Sequence, residues 1–134
     1  PQPGDEVIVP AYTFWIVPAV VIAAGFVPVA VDVDPTTFLL DPDALEAALG
    51  PRTRAIVVAH LNGSAAPTGE VARLARDRGI TILEDCAQAC GTHDEDGPVG
   101  RKGVGCFAFG VGKAVSTLGG GAAVTEDAAV AAFA

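Results

Sequence analysis

Residues 55–85 read AIVVAHLNGSAAPTGEVARLARDRGITILED, and this stretch decides the fold class. The apolar runs that end at His60 and Asp85 predict two strands, and the segment that Thr68 opens predicts a helix between them. Strands that are apolar along nearly their whole length are typical of a parallel sheet with both faces covered. A strand, a helix and a parallel strand imply a right-handed crossover, so the stretch predicts an α/β layer.

The same alternation extends toward the N-terminus. The segments 6–10 (EVIVP) and 27–33 (VPVAVDV) predict two more strands. Between them we expect an apolar helix that begins at a Thr13 cap and ends at Gly25.

The segment 41–50 (DPDALEAALG), which directly precedes the strand before His60, predicts another helix with Asp41 as its cap. Toward the C-terminus the pattern changes. The segments 105–110 (GCFAFG) and 121–125 (GAAVT) predict short strands with no helix between them, so the last strand can return antiparallel. The predicted fold is therefore a three-layer α/β/α domain with a mostly parallel sheet and an antiparallel last strand.

Composition excludes several classes of partner. The chain of 134 residues has a formal charge of −8 and no basic stripe, so we expect no nucleic-acid partner. Its most apolar window, residues 16–31, is shorter than the about 20 residues that span a bilayer, so we expect no membrane partner. The 3 cysteines lack the spacing of a disulfide scaffold, which favours a reduced, cytoplasmic protein. Cys86, Cys90 and His93 match no common zinc spacing, so we predict no metal site.

Polar and aromatic residues follow several of the predicted strands. They are Phe14, His60, Asp85 with Gln88 three residues later, and Lys113. Ligands of open α/β sheets bind beyond the carboxyl ends of the strands, so these residues predict a site at one edge.

Asp85 and Lys113 leave three interpretations open. Asp85 could cap a helix formed by CAQACG, or it could pair directly with Lys113. A protonated heterocycle placed between the two side chains would also satisfy the carboxylate, and that arrangement describes pyridoxal phosphate (PLP). This cofactor needs a lysine for its aldehyde and a carboxylate beside its ring nitrogen, and Phe14 could pack on its face. The small residues around Lys113 would then give a flat ring clearance. Each residue also has a simpler reading, because such a lysine is often solvated and such a phenylalanine is often in the core.

The ordered motifs resemble the DegT/DnrJ/StrS aminotransferases, which are fold-type-I PLP enzymes. The resemblance covers essentially the whole chain and rests on PGDEVIVPAYTF, GFVPVAVDVDPTTFLLDPDALEAAL, PRTRAIVVAHLNG, ILEDCAQACG and CFAFGVGKAVSTLGGGAAVTED. It implies that Lys113 binds the cofactor covalently, that Asp85 pairs with the pyridinium nitrogen, and that Gln88 lies near the phenolic oxygen. It implies further that Phe14 stacks on the ring, and it makes His60 a candidate for the pocket wall.

The chain also departs from this resemblance. Where many members have a serine that helps to hold the cofactor phosphate, this chain has Ala108, and Ala114 and Gly119 replace an asparagine and a glutamate. Ser116 could take over from the missing serine only if the segment after Lys113 turned back, and we do not expect that turn. The resemblance implies a phosphate-binding segment upstream of Pro1.

The resemblance implies transfer of an amino group from an amino acid, expected to be glutamate, to a keto-sugar that is expected to be nucleotide-linked. Three alternatives remain open: a cysteine desulfurase-like or dehydratase PLP enzyme, a non-catalytic PLP-binding regulator, and a generic nucleotide-binding domain. A desulfurase usually has histidine where Gly112 stands, dehydratase relatives replace the lysine by histidine, and no Gly-x-Gly-x-x-Gly follows the first strand.

We expect residues 1–134 to be the central part of a large PLP-binding domain. The N-terminal phosphate-binding segment and a small C-terminal domain would lie outside it. The full-length protein is expected to be a cytoplasmic homodimer that acts on small molecules, and residues 1–134 alone are expected to be inactive.

Overall fold

The computed structural model describes residues 2–132 of the chain. The strands are β1 (Glu6–Pro10), β2 (Val27–Val31), β3 (Thr53–Ala59), β4 (Thr81–Asp85), β5 (His93–Asp94), β6 (Gly97–Pro98), β7 (Val104–Ala108) and β8 (Gly121–Thr125). The helices are α1 (Ile16–Ala23), α2 (Pro42–Ala48), α3 (Thr68–Arg76) and α4 (Ala128–Ala131).

Six of the strands form one sheet with the order β2-β1-β3-β4-β7-β8. The pairs from β2 through β7 are parallel, and β8 runs antiparallel to β7. The predicted mostly parallel sheet with an antiparallel last strand is therefore confirmed. The small hairpin of β5 and β6 was not predicted from the sequence.

The helices cover both faces of the sheet. On one face, Leu45 of α2 and Val71 of α3 pack with Ile8, Ile56 and other buried strand residues. On the opposite face, Val21 of α1 packs with Val7, Val9, Ala55 and Val57. Adjacent residues of β1 and of β3 thus enter different cores, which explains why these strands are apolar throughout. No helix within residues 2–132 is long and apolar enough to cross a membrane.

Three predicted helix signals fall at residues that the structure describes. Asp41 caps α2 as predicted, because its side chain accepts a hydrogen bond of 2.9 Å from Asp43 N–H. The Thr13 cap is wrong: α1 begins at Ile16 without a side-chain cap, and Val17 N–H bonds instead to the Phe14 carbonyl. The predicted stop at Gly25 is confirmed, since this residue has φ +87° and its N–H bonds to Ile22 O.

Gly103 lets the chain pass close to β4 just before β7 begins. A Cβ at this position would lie 2.2 Å from the Ile82 carbonyl oxygen, a backbone atom that cannot move without distorting β4. We expect Gly103→Ala in the full-length protein to reduce the free energy of unfolding by about 1–3 kcal/mol, measured by denaturant titration. Gly50→Ala is the matched control, because a Cβ there meets no atom within 4 Å. Equal stability of the two variants would contradict the expected clash.

Candidate active site

The parallel sheet brings the predicted site residues to one edge. Asp85 is the last residue of β4 and is in register with Ala59 of β3 on one side and Cys106 of β7 on the other. His60 follows Ala59 directly, and Lys113 lies in the loop after β7. Because carboxyl ends of parallel strands share an edge, these residues start from the same side of the molecule.

Phe14 and Gln88 line the same cavity. It has a volume of about 200 Å³ and is lined by Tyr12, Thr13, Phe14, Leu61, Asn62 and Gln88. Phe14 is 59% exposed, so a large part of its side chain is available to a ligand. Gln88 is held at two points, because its Oε1 accepts from Asn62 N–H and its carbonyl accepts from Gly63 N–H. With Oε1 engaged in this way, the Gln88 side-chain NH₂ remains as a donor.

Asn62 and Thr13 are cavity residues that the sequence did not single out as site residues. Asn62 has φ +53°, a left-handed conformation that asparagine tolerates better than most residues. The Thr13 hydroxyl is buried and has no hydrogen-bond partner among the described residues. An asparagine followed by Gly63 is a turn signal, which could have marked this loop but not its contact with Gln88.

Asp85 is half-buried at the end of β4 and does not cap a helix. Its Oδ1 accepts a 3.0 Å hydrogen bond from Ala87 N–H, but the residues that follow form turns instead of a helix. The interpretation of CAQACG as a capped helix is therefore wrong. The turn is fixed by other bonds, including Cys86 N–H to the Cys106 carbonyl. Cys106 is exposed, but partial desolvation of its thiol, together with the nearby Asp85 charge, raises its pKa.

Lys113 lies in a loop that folds back on itself. Phe109 N–H bonds to the Gly120 carbonyl at 2.9 Å, and Thr117 N–H bonds to the Phe109 carbonyl at 2.9 Å. Lys113 is half-buried, and no ion pair within residues 2–132 joins it to Asp85. The direct pair that the sequence left open is therefore not formed.

The glycines before Lys113 leave open space around the loop. A Cβ added at Gly110 or Gly112 would meet no atom within 4 Å. Gly112 has a further reason to be glycine, since its φ is +82°. The open space is compatible with the predicted clearance for a flat ring, which stays a prediction.

His60 does not lie on the cavity wall, which corrects its assignment as a candidate pocket residue. Its side chain is buried, Nε2 lies 3.1 Å from Glu84 Oε2, and Nδ1 accepts from Ala66 N–H at 3.0 Å. Because Nδ1 is an acceptor, the proton of the neutral ring is on Nε2 and is donated to Glu84. Both ring nitrogens are therefore used inside the fold.

Glu84 is the buried partner that the sequence did not single out. Its carboxylate accepts from His60, from Gly100 N–H at 2.8 Å and from Lys102 N–H at 2.6 Å. Burial on its own raises the pKa of Glu84, but the hydrogen bonds from His60 and the two backbone amides outweigh it, so the pKa lies below its usual value. Glu84 thus joins β3, β4 and the segment that leads into β7.

His60, Glu84 and Cys86 lie close enough to be considered as metal ligands, with candidate atoms within 4.8 Å of one another. The chemistry does not fit, because both His60 nitrogens and the Glu84 carboxylate already have hydrogen-bond partners. Burial, with the nearby carboxylates, raises the pKa of the Cys86 thiol to about 12. His60 and Glu84 form a buried hydrogen-bonded pair, and Cys86 packs in the core with Ala89 and Val99.

The profile of the DegT/DnrJ/EryC1/StrS aminotransferase family matches residues 2–134. The chain belongs to this family. The predicted family resemblance is thereby confirmed.

Individual relatives of this aminotransferase family are similar along nearly the whole chain. It is 44% identical over 129 residues to the L-glutamine:2-deoxy-scyllo-inosose aminotransferase of Streptomyces kanamyceticus, covering 96% of the chain and 30% of the relative. It is 43% identical over 128 residues to the UDP-N-acetyl-3-dehydro-α-D-glucosamine 3-aminotransferase of Acidithiobacillus ferrooxidans, covering 94% of the chain and 35% of the relative. The chain therefore spans about a third of the length of these relatives.

Solved structures agree with the family assignment. Streptomyces venezuelae DesV, in complex with a ketimine intermediate, superposes with a TM-score of 0.91 at 40% identity, covering 97% of the chain and 36% of DesV. A Streptococcus pneumoniae protein described as a sugar aminotransferase, in its PLP form, superposes with a TM-score of 0.85 at 31% identity, covering 91% of the chain and 35% of that protein.

This chain has a hydrogen-bond donor and an exposed aromatic surface that fit PLP. A flat ring can pack on the exposed Phe14, and the free Gln88 NH₂ lies in the same cavity. Asp85 and Lys113 supply the carboxylate and the amine, and they are not tied to each other by an ion pair within residues 2–132. The chemistry of these groups is compatible with an electrophilic heteroaromatic aldehyde such as PLP.

Proposed function

We propose that the full-length protein is a PLP-dependent aminotransferase acting on a keto-sugar or keto-cyclitol. The observation that supports the proposal is that Phe14, Asp85 with Gln88, and Lys113 all follow the carboxyl ends of parallel strands, in a chain of the aminotransferase family. Residues 1–134 would be the central part of the large cofactor-binding domain. The protein would act as a cytoplasmic homodimer on small molecules.

Each of the residues would have a separate task. PLP, when bound, supplies an electron-withdrawing ring that stabilises negative charge on the carbon next to the amino nitrogen. Lys113 Nζ would hold the cofactor through its aldehyde carbon and, when free, would move a proton between the two carbons that exchange the amino group. Asp85 would keep a proton on the ring nitrogen, and Gln88 would donate a hydrogen bond to a ring oxygen. Phe14 would exclude water from one face of the ring.

The names of the relatives support a choice of amino acceptor and amino donor. Two of them are named for a cyclitol ketone and for a UDP-linked keto-sugar, which share a ketone on a six-membered ring that carries polar substituents. We propose such a ring ketone as the acceptor. Four relatives are named for L-glutamine, so we propose glutamine as donor beside the glutamate that the resemblance implied.

A transamination assay on the full-length protein tests this function. We expect the protein to convert glutamate or glutamine to its oxoacid over many turnovers only when a ring ketone is present, because without an acceptor the reaction stops after one oxoacid per bound cofactor. The two acceptors to compare are 2-deoxy-scyllo-inosose and a UDP-linked keto-sugar. Oxoacid would be measured by a coupled dehydrogenase. A protein that binds PLP through a lysine but forms no oxoacid with either acceptor would instead support a non-catalytic regulator.

A further inference from the structure

The loop that carries Lys113 contains one cation and no carboxylate. Lys113 is the only charged residue in the sequence between Lys102 and Glu126, so no carboxylate from this segment repels a negative ligand. The loop closes on the end of β7 through the bonds of Phe109 with Gly120 and Thr117. This turn was not expected, and it brings Thr117, with Ser116 next to it, back beside Phe109.

The hydroxyl groups of Thr117 and Ser116 differ in whether their protons are available to a ligand. The Thr117 hydroxyl donates its proton to the Gly119 carbonyl at 2.6 Å, so that proton is already used. The Ser116 oxygen accepts from Leu118 N–H at 3.3 Å, which occupies a lone pair and leaves its own O–H free. Ser116 is exposed, so a ligand can reach it. Ala108, at the end of β7, has no hydroxyl to offer.

We propose that Ser116 donates a hydrogen bond to the phosphate of the bound cofactor. The inference rests on the proposed function and adds a residue to it. A phosphate dianion needs several donors, and hydrogen bonds to a charged oxygen are the strong ones. Lys113 cannot neutralise the phosphate while it holds the aldehyde end, which makes an additional hydroxyl donor useful. Ser116 is the hydroxyl of this loop whose proton is not already used.

The test compares PLP with pyridoxal, which lacks the phosphate, as ligands of the full-length apoprotein. Binding is followed by the absorption band of the lysine-linked cofactor. We expect Ser116→Ala to raise the Kd for PLP by about tenfold and to leave the Kd for pyridoxal unchanged. Ser116→Thr, which keeps a hydroxyl, should bind PLP as the unmodified protein does. Thr117→Val is the matched control, because it removes the hydroxyl already used inside the loop.

The outcomes separate this inference from the proposed function. If Ser116→Ala weakens PLP and pyridoxal equally, Ser116 only shapes the loop and the inference is wrong. If it weakens neither ligand, the inference is also wrong. If the unmodified protein forms no lysine-linked band with either ligand, the proposed function fails and the inference fails with it.

Discussion

Lys113→Ala in the full-length protein is expected to abolish both the absorption band of the lysine-linked cofactor and transamination. Nζ is the atom that would hold the aldehyde carbon, and alanine has no nucleophile to replace it. The loss of proton transfer alone is expected to slow turnover by about 10²- to 10⁴-fold. The band is measured by absorption spectroscopy of purified protein, and turnover by oxoacid release.

Lys102→Ala is the matched control for this prediction. The Lys102 side chain pairs with Asp96, and its contribution to the Glu84 carboxylate comes from the backbone N–H, which alanine retains. We expect this variant to keep the band and the activity. A Lys113→Ala protein that still shows the band would mean that another lysine binds the cofactor.

The sequence predicted what is encoded locally. Asp41 followed by proline is a complete capping signal within three residues, and α2 begins where that signal stands. Gly25 likewise ends its helix through its own backbone angle. The Thr13 signal failed because the backbone carbonyl of Phe14 closes the first turn of α1 without any side chain. A capping residue predicts a helix start only when no other acceptor competes for the first N–H groups.

The site could be predicted in part, because the carboxyl ends of parallel strands meet wherever the strands are correctly assigned. Phe14, Asp85 and Lys113 follow from that rule, whereas the positions of their side chains do not. The bond between Gln88 and Asn62 joins residues 26 apart in sequence, and the return of the Lys113 loop depends on the bonds of Phe109. Contacts of this kind depend on strand register and loop closure, and no local pattern encodes them.

His60 also shows that position along the chain does not determine where a side chain lies. Its position after a strand suggested a pocket residue, but side chains alternate in direction near a strand end, and a strand end alone does not say which way the ring turns. The ring of His60 turns into the core because it binds the buried Glu84, which lies 24 residues away in sequence. A glutamate next to Asp85 could have signalled a buried carboxylate, because it stands inside an apolar strand.

Glu84→Gln in the full-length protein is expected to reduce the free energy of unfolding by about 3 kcal/mol or more. All three groups around the carboxylate are donors: His60 Nε2–H, Gly100 N–H and Lys102 N–H. Glutamine would turn an NH₂ group toward at least one of them. His60 cannot relieve this by changing tautomer, because its Nδ1 must accept from Ala66 N–H. Denaturant unfolding measures the change, with the exposed Glu46→Gln as the control.

The dependence of stability on pH provides a second measurement of the same pair. Because hydrogen bonds hold the folded pKa of Glu84 below its unfolded value of about 4.3, its stabilisation is complete above that pH and is lost as the pH falls through the folded pKa. Glutamine does not titrate, so the variant should lose less stability than the unmodified protein over that acid range. If Glu84→Gln were as stable as the control at pH 7, the carboxylate would not be what holds β3, β4 and the segment before β7 together.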